Sequence, residues 1–302
     1  AASDVYKRQH NALKHYAKPV ANAVGMLADK IIENKGKKMV LVSLARAGIP
    51  IGILVKRYIK FKYGINVPHY SISIIRGRGI DDNAMKYLLE KYRPQQILFV
   101  DGWIGKGAIL NELKKDISAY EGVSADIAVV ADPANVTELC GTHEDILIPS
   151  SCLNSTVSGL ISRTFLRDDI IGRDDFHGAV YYGELTDSDL SYDFIETIEK
   201  EFNMENTPDL EKRVESQGID EVINIGKNFG IDDINLIKPG IGETTRVLLR
   251  RIPWKVLIDE RYKGNPQLEH IVRLAEEKHT PVEYYPLTHY KCCGIIKKLA
   301  DA

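Results

Sequence analysis

The hydrophobic positions in the first half of the chain follow two spacings. Between Ala12 and Glu33 apolar residues recur at helical intervals, which predicts an amphipathic helix. Short apolar runs then alternate with further helical segments, and this alternation predicts an α/β fold with a parallel, doubly wound sheet. The predicted strands are Lys38–Ser43, His69–Ile75, Gln96–Val100, Ala125–Ala131 and Ile146–Ile148, and the predicted helices are Pro50–Tyr63, Asn83–Tyr92 and Ala108–Tyr120.

A second set of short elements follows an acidic segment. The stretch Tyr181–Leu210 carries nine acidic residues against Lys200 alone, and part of it is typical of a solvated helix. We therefore expect a first domain at residues 10–205, a linker at 206–218 and a smaller α/β domain at 219–302. The strands predicted in this second domain are Val222–Ile225, Val256–Asp259 and Val282–Tyr285, and the helices are Thr244–Arg251 and Gln267–Lys278.

The composition excludes several classes of protein. The chain has 302 residues and a formal net charge of −2, so it is not a polybasic nucleic-acid coat. A hydrophobic fraction of 44% and a charged fraction of 27% exclude wholesale disorder. No apolar run approaches the roughly 18 residues of a membrane span. Four cysteines without a C-x-x-C pair argue against a zinc ribbon or a secreted disulfide framework, and we expect a cytoplasmic protein.

The first nine residues are expected to lie outside the natural fold. The run Asp4–Gln9 resembles the translation of a transposon adaptor used in DNA sequencing libraries. We therefore expect residues 1–9 to be a sequencing artefact, with genuine sequence from His10 and a missing N-terminus. A short natural lead-in is the alternative.

Unusual loops follow three of the predicted strands, at Ser43–Gly48, Arg76–Asp81 and Asp101–Gly107. Ligands bind at the carboxyl ends of the strands in parallel sheets, so we expect these loops to line a binding site.

The loop after the third predicted strand has the composition of a phosphate site. Its glycines allow backbone N–H groups to converge on an anion, and the following helix adds positive potential. Asp101 would accept hydrogen bonds from ribose hydroxyls and Lys106 would supply a positive charge. The loop is not a Walker A motif, and taken alone it also fits a plain β–α turn. The glycines expected at the phosphate are Gly102, Gly105 and Gly107.

The loop after the first strand resembles the pyrophosphate loop of type I phosphoribosyltransferases. The stretch Leu41–Pro50 reads LVSLARAGIP, and Arg46 would bind a diphosphate bidentately, through two parallel N–H···O hydrogen bonds. Pro50 suits the first turn of the helix that follows. A surface arginine is the alternative for Arg46. The resemblance also places Ser43, Ala45, Ala47 and Gly48 at the diphosphate.

The two loops lie about 55 residues apart, and the whole chain resembles one family. This family comprises phosphoribosyltransferase-like proteins encoded near tellurite-resistance and stress operons and fused to a Pelota-type RNA-binding domain. Its members are often labelled StiP-type cysteine proteases. The resembling stretches are Leu41–Gly52, His69–Asp81, Phe99–Ile109 and Pro149–Thr164.

The resemblance implies an enzyme that acts on phosphoribosyl diphosphate or a related nucleotide. Catalysis would be electrostatic, with Mg²⁺ bound through the diphosphate, and with Asp101 as a possible ligand. Arg46 and Asp101 would act with Arg76 and Arg78, whose glycine-containing loop would close over the diphosphate. Typical members of this enzyme class have a second acid where Gly102 stands here. The alternative is therefore a protein that senses a nucleotide without turning it over.

The segment around Cys152 permits two interpretations. A cysteine at a predicted helix N-terminus has a lowered thiol pKa, and with His143 or His177 as base it would support cysteine-dependent hydrolysis. No protease signature surrounds Cys152, and the alternative is that this cysteine has a purely structural role. The other interpretation is a pocket for the acceptor of the sugar. The residues of that pocket would be Ser150, Ser151, Cys152, Asn154, Arg163 and His177.

The stretch Leu236–Arg246 resembles the RNA-contacting signature of L7Ae-like and Pelota domains. This implies a small α/β/α RNA-binding domain, in which Glu243 would accept hydrogen bonds from guanine edges and Arg246 would contact a base or phosphate. Gly242 replaces the family's asparagine, which removes one base-reading group, and a fold retained for protein contacts is the alternative. The RNA-binding residues implied are Lys238, Gly240, Gly242, Glu243, Thr245 and Arg246.

Overall fold

A computed structural model describes residues 2–152, 155–209 and 214–298, with side chains from residue 15 onward except those of residues 151 and 152. Among these residues, no helix combines the length and apolar character that crossing a bilayer requires. The helices are α1 (Ala2–Lys35), α2 (Gly48–Tyr63), α3 (Asp82–Lys91), α4 (Ala108–Ile117), α5 (Pro149–Cys152), α6 (Ser191–Glu199), α7 (Gly218–Phe229), α8 (Ile241–Arg250) and α9 (Glu269–Glu277). The strands are β1 (Val40–Ala45), β2 (His69–Ile75), β3 (Gly79–Ile80), β4 (Ile97–Trp103), β5 (Ile127–Ala131), β6 (Cys140–Thr142), β7 (Ile237–Pro239), β8 (Pro253–Ile258), β9 (Val282–Tyr284) and β10 (Cys292–Ile296).

The first sheet has the strand order β3-β2-β1-β4-β5-β6. Every pairing from β2 to β6 is parallel, and β3 folds back antiparallel to β2. The predicted α/β fold with a parallel sheet is therefore confirmed. The order of the strands reverses between β1 and β4, and such a switch point is where doubly wound sheets bind ligands.

Helices cover both faces of this sheet. On one face, Val24 and Leu27 of α1 are fully buried together with residues of α2 and α6. On the other face, Leu113 of α4 packs with Phe99 of β4 and with α3. The expectation of a solvated helix in the acidic segment is wrong, because α6 buries the apolar residues Phe194, Ile195 and Ile198.

The second sheet has the order β7-β10-β8-β9 and differs from prediction in two places. Val222–Ile225 lies in α7, where Val222 and Ile225 are buried at the three-residue spacing of one helix face. Two strands of this sheet were not predicted: β7, and β10, which pairs antiparallel with both β7 and β8.

Two boundaries in the first sheet also differ. The strand β4 continues through Trp103, so Asp101 pairs with Val129 instead of lying in a loop. The strand beside β5 is Cys140–Thr142 and not Ile146–Ile148. Its central residue is Gly141, whose missing side chain lets α1 approach: an added Cβ would lie 2.0 Å from the carbonyl oxygen of Ala23.

Candidate functional site

The turn after β1 and the first residue of α2 lie against the carboxyl end of β4 at the switch point of the sheet. The two strands are neighbours, and Ser43 is in register with Val100. Gly48, the first residue of α2, lies directly on the end of β4. A methyl group added at Gly48 would lie 2.6 Å from the carbonyl oxygen of Val100 and 3.1 Å from Cα of Asp101. The absence of a side chain at Gly48 therefore allows the start of α2 to lie against the backbone of β4.

Arg46 lies in the turn between β1 and α2. A cis peptide bond joins it to Ala45, and Ala47 immediately precedes the helix. Its side chain is half-buried, and one guanidinium nitrogen donates to the carbonyl oxygen of Ile161 at 2.7 Å. Arg46 therefore connects the turn to the segment that follows β6.

Arginines from both parts of the chain surround Arg46. Burial lowers the pKa of Arg46 below its usual value, and repulsion from Arg163, Arg250 and Arg246 lowers it further, while Tyr182 opposes the shift. Arg246 and Arg250 belong to α8, so the second domain contributes positive charge to the same edge. The edge is suited to a ligand that carries several negative charges.

Asp101 is the carboxylate at this edge. One of its oxygens accepts from the amide of Gly102 at 2.7 Å. Burial raises the pKa of this carboxyl to about 6, although the Gly102 hydrogen bond opposes the shift. At neutral pH the group is mostly ionised and can accept hydrogen bonds from a sugar or contribute one ligand to a cation.

Three residues predicted at the phosphate lie elsewhere. Ser43 is fully buried, with Oγ 2.7 Å from Nε2 of His69, whose pKa burial lowers to about 4. Gly102 is buried inside β4. Lys106 points into the second domain, where its amine donates to the carbonyl oxygens of Ile234 and Ile237 at 2.9 and 3.0 Å. Burial lowers the pKa of this lysine to about 8.

The glycine turn before α4 docks the second domain. The carbonyl oxygen of Gly105 accepts from the hydroxyl of Tyr290 at 2.6 Å. Gly107 precedes α4 with a φ of 90°, a conformation that favours glycine. The Lys106 amine and the Gly105 carbonyl therefore bind the second domain in this structure, and the phosphate-binding role of the turn stays a prediction.

Arg76 and Arg78 are exposed in the turn between β2 and β3. That turn is fixed against α4, since the amide of Ile80 donates to Asp116 at 2.8 Å. Arg76 is close enough to Lys106 to depress its pKa by repulsion. Both arginines therefore remain available to an anion.

The residues predicted for an acceptor pocket are only partly described. Asn154 and the side chains of Ser151 and Cys152 lie outside the described residues. The backbone places Cys152 as the fourth residue of α5, directly before residues 153–154, which lie outside the described residues, so the expected helix N-terminus there stays a prediction. Ser150 is buried and its hydroxyl has no hydrogen-bond partner among the described residues.

Two more predicted acceptor residues lie near the carboxyl ends of β1 and β2. Nδ1 of His177 is 2.9 Å from the hydroxyl of Ser73 near the end of β2, and its amide donates to Asp81. Arg163 is exposed and adds to the positive charge around Arg46. The structure therefore brings these two residues to the same edge of the sheet as the predicted loops.

The predicted RNA signature is divided between the domain interface and the surface. Gly240, Gly242 and Thr245 are buried. A methyl group at Gly240 would lie 2.5 Å from the ring of Trp103, which belongs to the first domain. Protein already covers these three residues in this structure, and their contact with RNA stays a prediction.

The other signature residues remain accessible. Glu243 and Arg246 form an ion pair of 2.9 Å on the outer face of α8, and Lys238 is half-buried. The beginning of α8 is fixed by a buried carboxylate of the first domain: Asp145 accepts from the amides of Ile241 and Lys291. Burial raises the pKa of Asp145 to about 6.

A second cluster, formed by Asp132, Cys140 and His143, lies at the ends of β5 and β6. Sγ of Cys140 is 3.4 Å from Nε2 of His143, whose Nδ1 donates to the backbone carbonyl of Asp132 at 2.9 Å. The sequence contained one signal of it, the Cys-x-x-His spacing of Cys140 and His143. Only the pairing of β5 with β6 adds Asp132.

Comparison with known proteins gives matches along nearly the whole chain. A family model described as tellurite-like stress resistance cysteine protease StiP matches residues 2–199, and the PELOTA RNA binding domain model matches residues 216–298. A protein of Acinetobacter baylyi named "Cysteine protease StiP" is 32% identical over 309 residues, which cover 95% of this chain and 80% of that protein.

Solved structures show only distant likeness. A hypoxanthine-guanine phosphoribosyltransferase of Bacillus anthracis is 17% identical, with a TM-score of 0.30, over 40% of this chain and 71% of that one. An HGPRT-ase of Leishmania tarentolae in complex with GMP is 15% identical, with a TM-score of 0.31, over 44% of this chain and 75% of that one.

Proposed function

Since the chain belongs to the family of tellurite-like stress resistance cysteine protease StiP and carries a PELOTA RNA-binding domain, we propose that it transfers a phosphoribosyl group. Its substrate would be phosphoribosyl diphosphate or a related nucleotide. The observation that carries this proposal is the close contact of Gly48, two residues after Arg46, with the backbone of Val100 and Asp101 at the switch point. The resemblance to this family, expected from the sequence, is confirmed; the reaction is our proposal.

The residues at this edge have complementary tasks. Arg46 and the N-terminus of α2 bind the diphosphate, because a guanidinium and a helix N-terminus both favour negative charge. Asp101 accepts hydrogen bonds from the ribose hydroxyls. When the bond from C1 of the sugar to the diphosphate breaks, the surrounding arginines stabilise the charge on the leaving diphosphate.

Asp101 also fits a Mg²⁺ site shared with the substrate. Protein-bound Mg²⁺ is commonly held by one or two carboxylates together with substrate phosphates, and Asp101 supplies one carboxylate at this edge. Bound there, Mg²⁺ would neutralise charge on the diphosphate.

The test is the release of diphosphate. The intact chain is incubated with phosphoribosyl diphosphate, Mg²⁺ and cellular RNA, and released diphosphate is measured with and without a chelator. We expect Arg46→Lys and Asp101→Asn to slow release roughly 10- to 150-fold, since a hydrogen bond to a charged group contributes about 1.5–3 kcal/mol. The matched controls are Arg273→Ala and Asp232→Asn, at exposed positions of the second domain. Release that is absent from the wild type, or unchanged in both site variants, would overturn the proposal.

Nucleotide sensing without turnover is a second candidate. It is favoured by the structural use of Ser43, Gly102 and Lys106, which leaves fewer groups for catalysis than the sequence implied. Calorimetry with phosphoribosyl diphosphate and nucleoside monophosphates separates the two functions. Binding that depends on Arg46, without any diphosphate release, would establish sensing and exclude transfer.

Cysteine-dependent hydrolysis is a third candidate, and the name of the Acinetobacter relative favours it. Its nucleophile would be Cys152, at the end of α5. Hydrolysis of a denatured protein substrate is compared between wild type, Cys152→Ser and Cys292→Ser, since Cys292 is a fully buried thiol on β10. Equal hydrolysis by all three proteins would exclude Cys152.

For the PELOTA domain we propose that RNA binds to the exposed basic face of α8. Arg246 and Arg250 are exposed there and lie beside Arg46, so RNA on this face would be next to the sugar site. The double variant Arg246→Ala, Arg250→Ala should bind cellular RNA more weakly. The slope of log affinity against log salt concentration should also become shallower by about 0.7 per lost phosphate contact. Arg273→Ala is the control. Identical affinity and salt dependence in both variants would exclude this face.

A further inference from the structure

We propose that Asp132, Cys140 and His143 form a binding site for one zinc-type transition-metal ion. Each residue offers one ligand atom, and these atoms lie within 4.8 Å of one another. Two ligands of a tetrahedral zinc ion, at bond lengths of about 2.3 Å for sulfur and 2.0–2.1 Å for nitrogen, are separated by roughly 3.5 Å. The observed separation between Sγ of Cys140 and Nε2 of His143 is 3.4 Å. The pair is therefore already spaced for a shared ion.

The fold places the three residues on a rigid frame. Asp132 follows β5 directly, Cys140 begins β6, and His143 follows β6. The two strands are parallel neighbours, and the amide of Asp132 donates to the carbonyl oxygen of Thr142 at 2.9 Å. The ligand set is therefore held by the sheet, and it does not depend on a mobile loop.

Hydrogen bonds hold the imidazole of His143 and the carboxylate of Asp132 in place. Nδ1 of His143 donates to the carbonyl oxygen of Asp132, so the lone pair of Nε2 faces Cys140. Metal-bound histidines almost always have such a bond on their other nitrogen. The amides of Val136 and Thr137 donate to one oxygen of the Asp132 carboxylate at 2.7 and 2.8 Å. Asp209 accepts from the amide of His143 at 2.8 Å.

Burial favours a metal ion over a nucleophile at Cys140. Cys140 is 0% exposed, and a reactive thiolate must be accessible to its substrate. On its outer side His143 lines a cavity of about 90 Å³ between the two domains.

The chemistry of the three ligands selects the ion. Thiolate and imidazole bind zinc and related late transition metals, whereas Mg²⁺ and Ca²⁺ prefer oxygen ligands. Glu144, Asp145 and Asp209 line the cavity beside His143, and Arg261 and Lys291 offset part of their charge. With three protein ligands, a zinc ion keeps a fourth position for water or another small ligand.

The test uses Co²⁺ as a spectroscopic probe for zinc. The full chain is treated with a chelator, dialysed and titrated with Co²⁺. We expect one equivalent to produce a thiolate-to-cobalt charge-transfer band in the near ultraviolet, and Zn²⁺ to abolish it. Cys140→Ser should lose the band. His143→Gln should weaken Zn²⁺ binding at least about 100-fold, and Asp209→Asn roughly 10-fold through the lost orienting bond.

Cys292→Ser is the matched control, since Cys292 is equally buried but lies on β10 of the second sheet, where its thiol donates to Thr244 of α8. It should retain the band. Thermal unfolding with and without Zn²⁺ gives a second readout, because an ion that binds only the folded state raises the unfolding temperature. Wild type should be stabilised by Zn²⁺ and Cys140→Ser should not. Absence of a stoichiometric band in the wild type, or its persistence in Cys140→Ser, would overturn the proposal.

Discussion

The contact between the start of α2, beside Arg46, and the end of β4, at Asp101, can be tested by adding a single methyl group at Gly48. In Gly48→Ala the new Cβ would lie 2.6 Å from the carbonyl oxygen of Val100 and 3.1 Å from Cα of Asp101. Both neighbours are backbone atoms of β4, so no side-chain rotation relieves the overlap. The start of α2 must therefore move away from β4. Overpacking of this kind costs about 1–3 kcal/mol. Alanine's better helix propensity recovers at most about 1 kcal/mol, and less at the first helical position.

The assay is thermal unfolding combined with diphosphate release. We expect the unfolding temperature of Gly48→Ala to fall by roughly 2–10 °C for a chain of this size. Diphosphate release should fall as well, because Arg46 moves away from Asp101. The matched control is Gly183→Ala, where the same methyl group meets only the ring of the exposed Tyr181 at 3.2 Å. Surface changes of that kind usually stay within about 0.5 kcal/mol. Equal stability and equal release in the two variants would refute the close contact.

Two further predictions concern charge and domain docking. The pKa of Asp101 is raised by burial from 3.8 to about 6, so its contribution to stability is present below pH 4 and is lost as the pH rises through about 6. The free energy of unfolding is therefore measured with urea at about pH 5 and pH 8. Between these pH values it should fall less in Asp101→Asn than in wild type. An equal fall in the two proteins would contradict the burial of this carboxyl. Tyr290→Phe removes the hydroxyl that donates to Gly105 at 2.6 Å and leaves a carbonyl at the domain interface without that donor. We expect a cost of about 1–3 kcal/mol and faster proteolysis between the domains, and cleavage at the wild-type rate would show that this bond contributes nothing to docking.

The sheet was predictable because its strands are continuous apolar runs. Parallel strands covered on both faces produce such runs, and β5 is buried at every position. The short strand β6 was missed because Cys140–Thr142 contains a glycine and spans three residues. Val222–Ile225 was misassigned because so short an apolar run is typical of a buried strand as well as of one face of a helix.

The candidate site was predictable only where neighbouring strands determine it. Arg46 and Asp101 lie at the same edge because β1 and β4 are parallel neighbours, whose carboxyl ends are adjacent. The partner of Lys106 does not, because its two carbonyl acceptors lie about 130 residues further along the chain, in another domain. The cluster of Asp132, Cys140 and His143 likewise depends on a strand pairing that local sequence does not encode.

If Lys106 also reaches the anion of the proposed sugar site, its hydrogen bonds couple occupancy of that site to the docking of the PELOTA domain. An anion that draws the Lys106 ammonium toward the switch point removes a donor from Ile234 and Ile237. The free energy of ligand binding then includes the work of loosening that contact. Linkage is reciprocal, so whatever pulls α8 away from Trp103, RNA included, must change the affinity for the anion by the same factor.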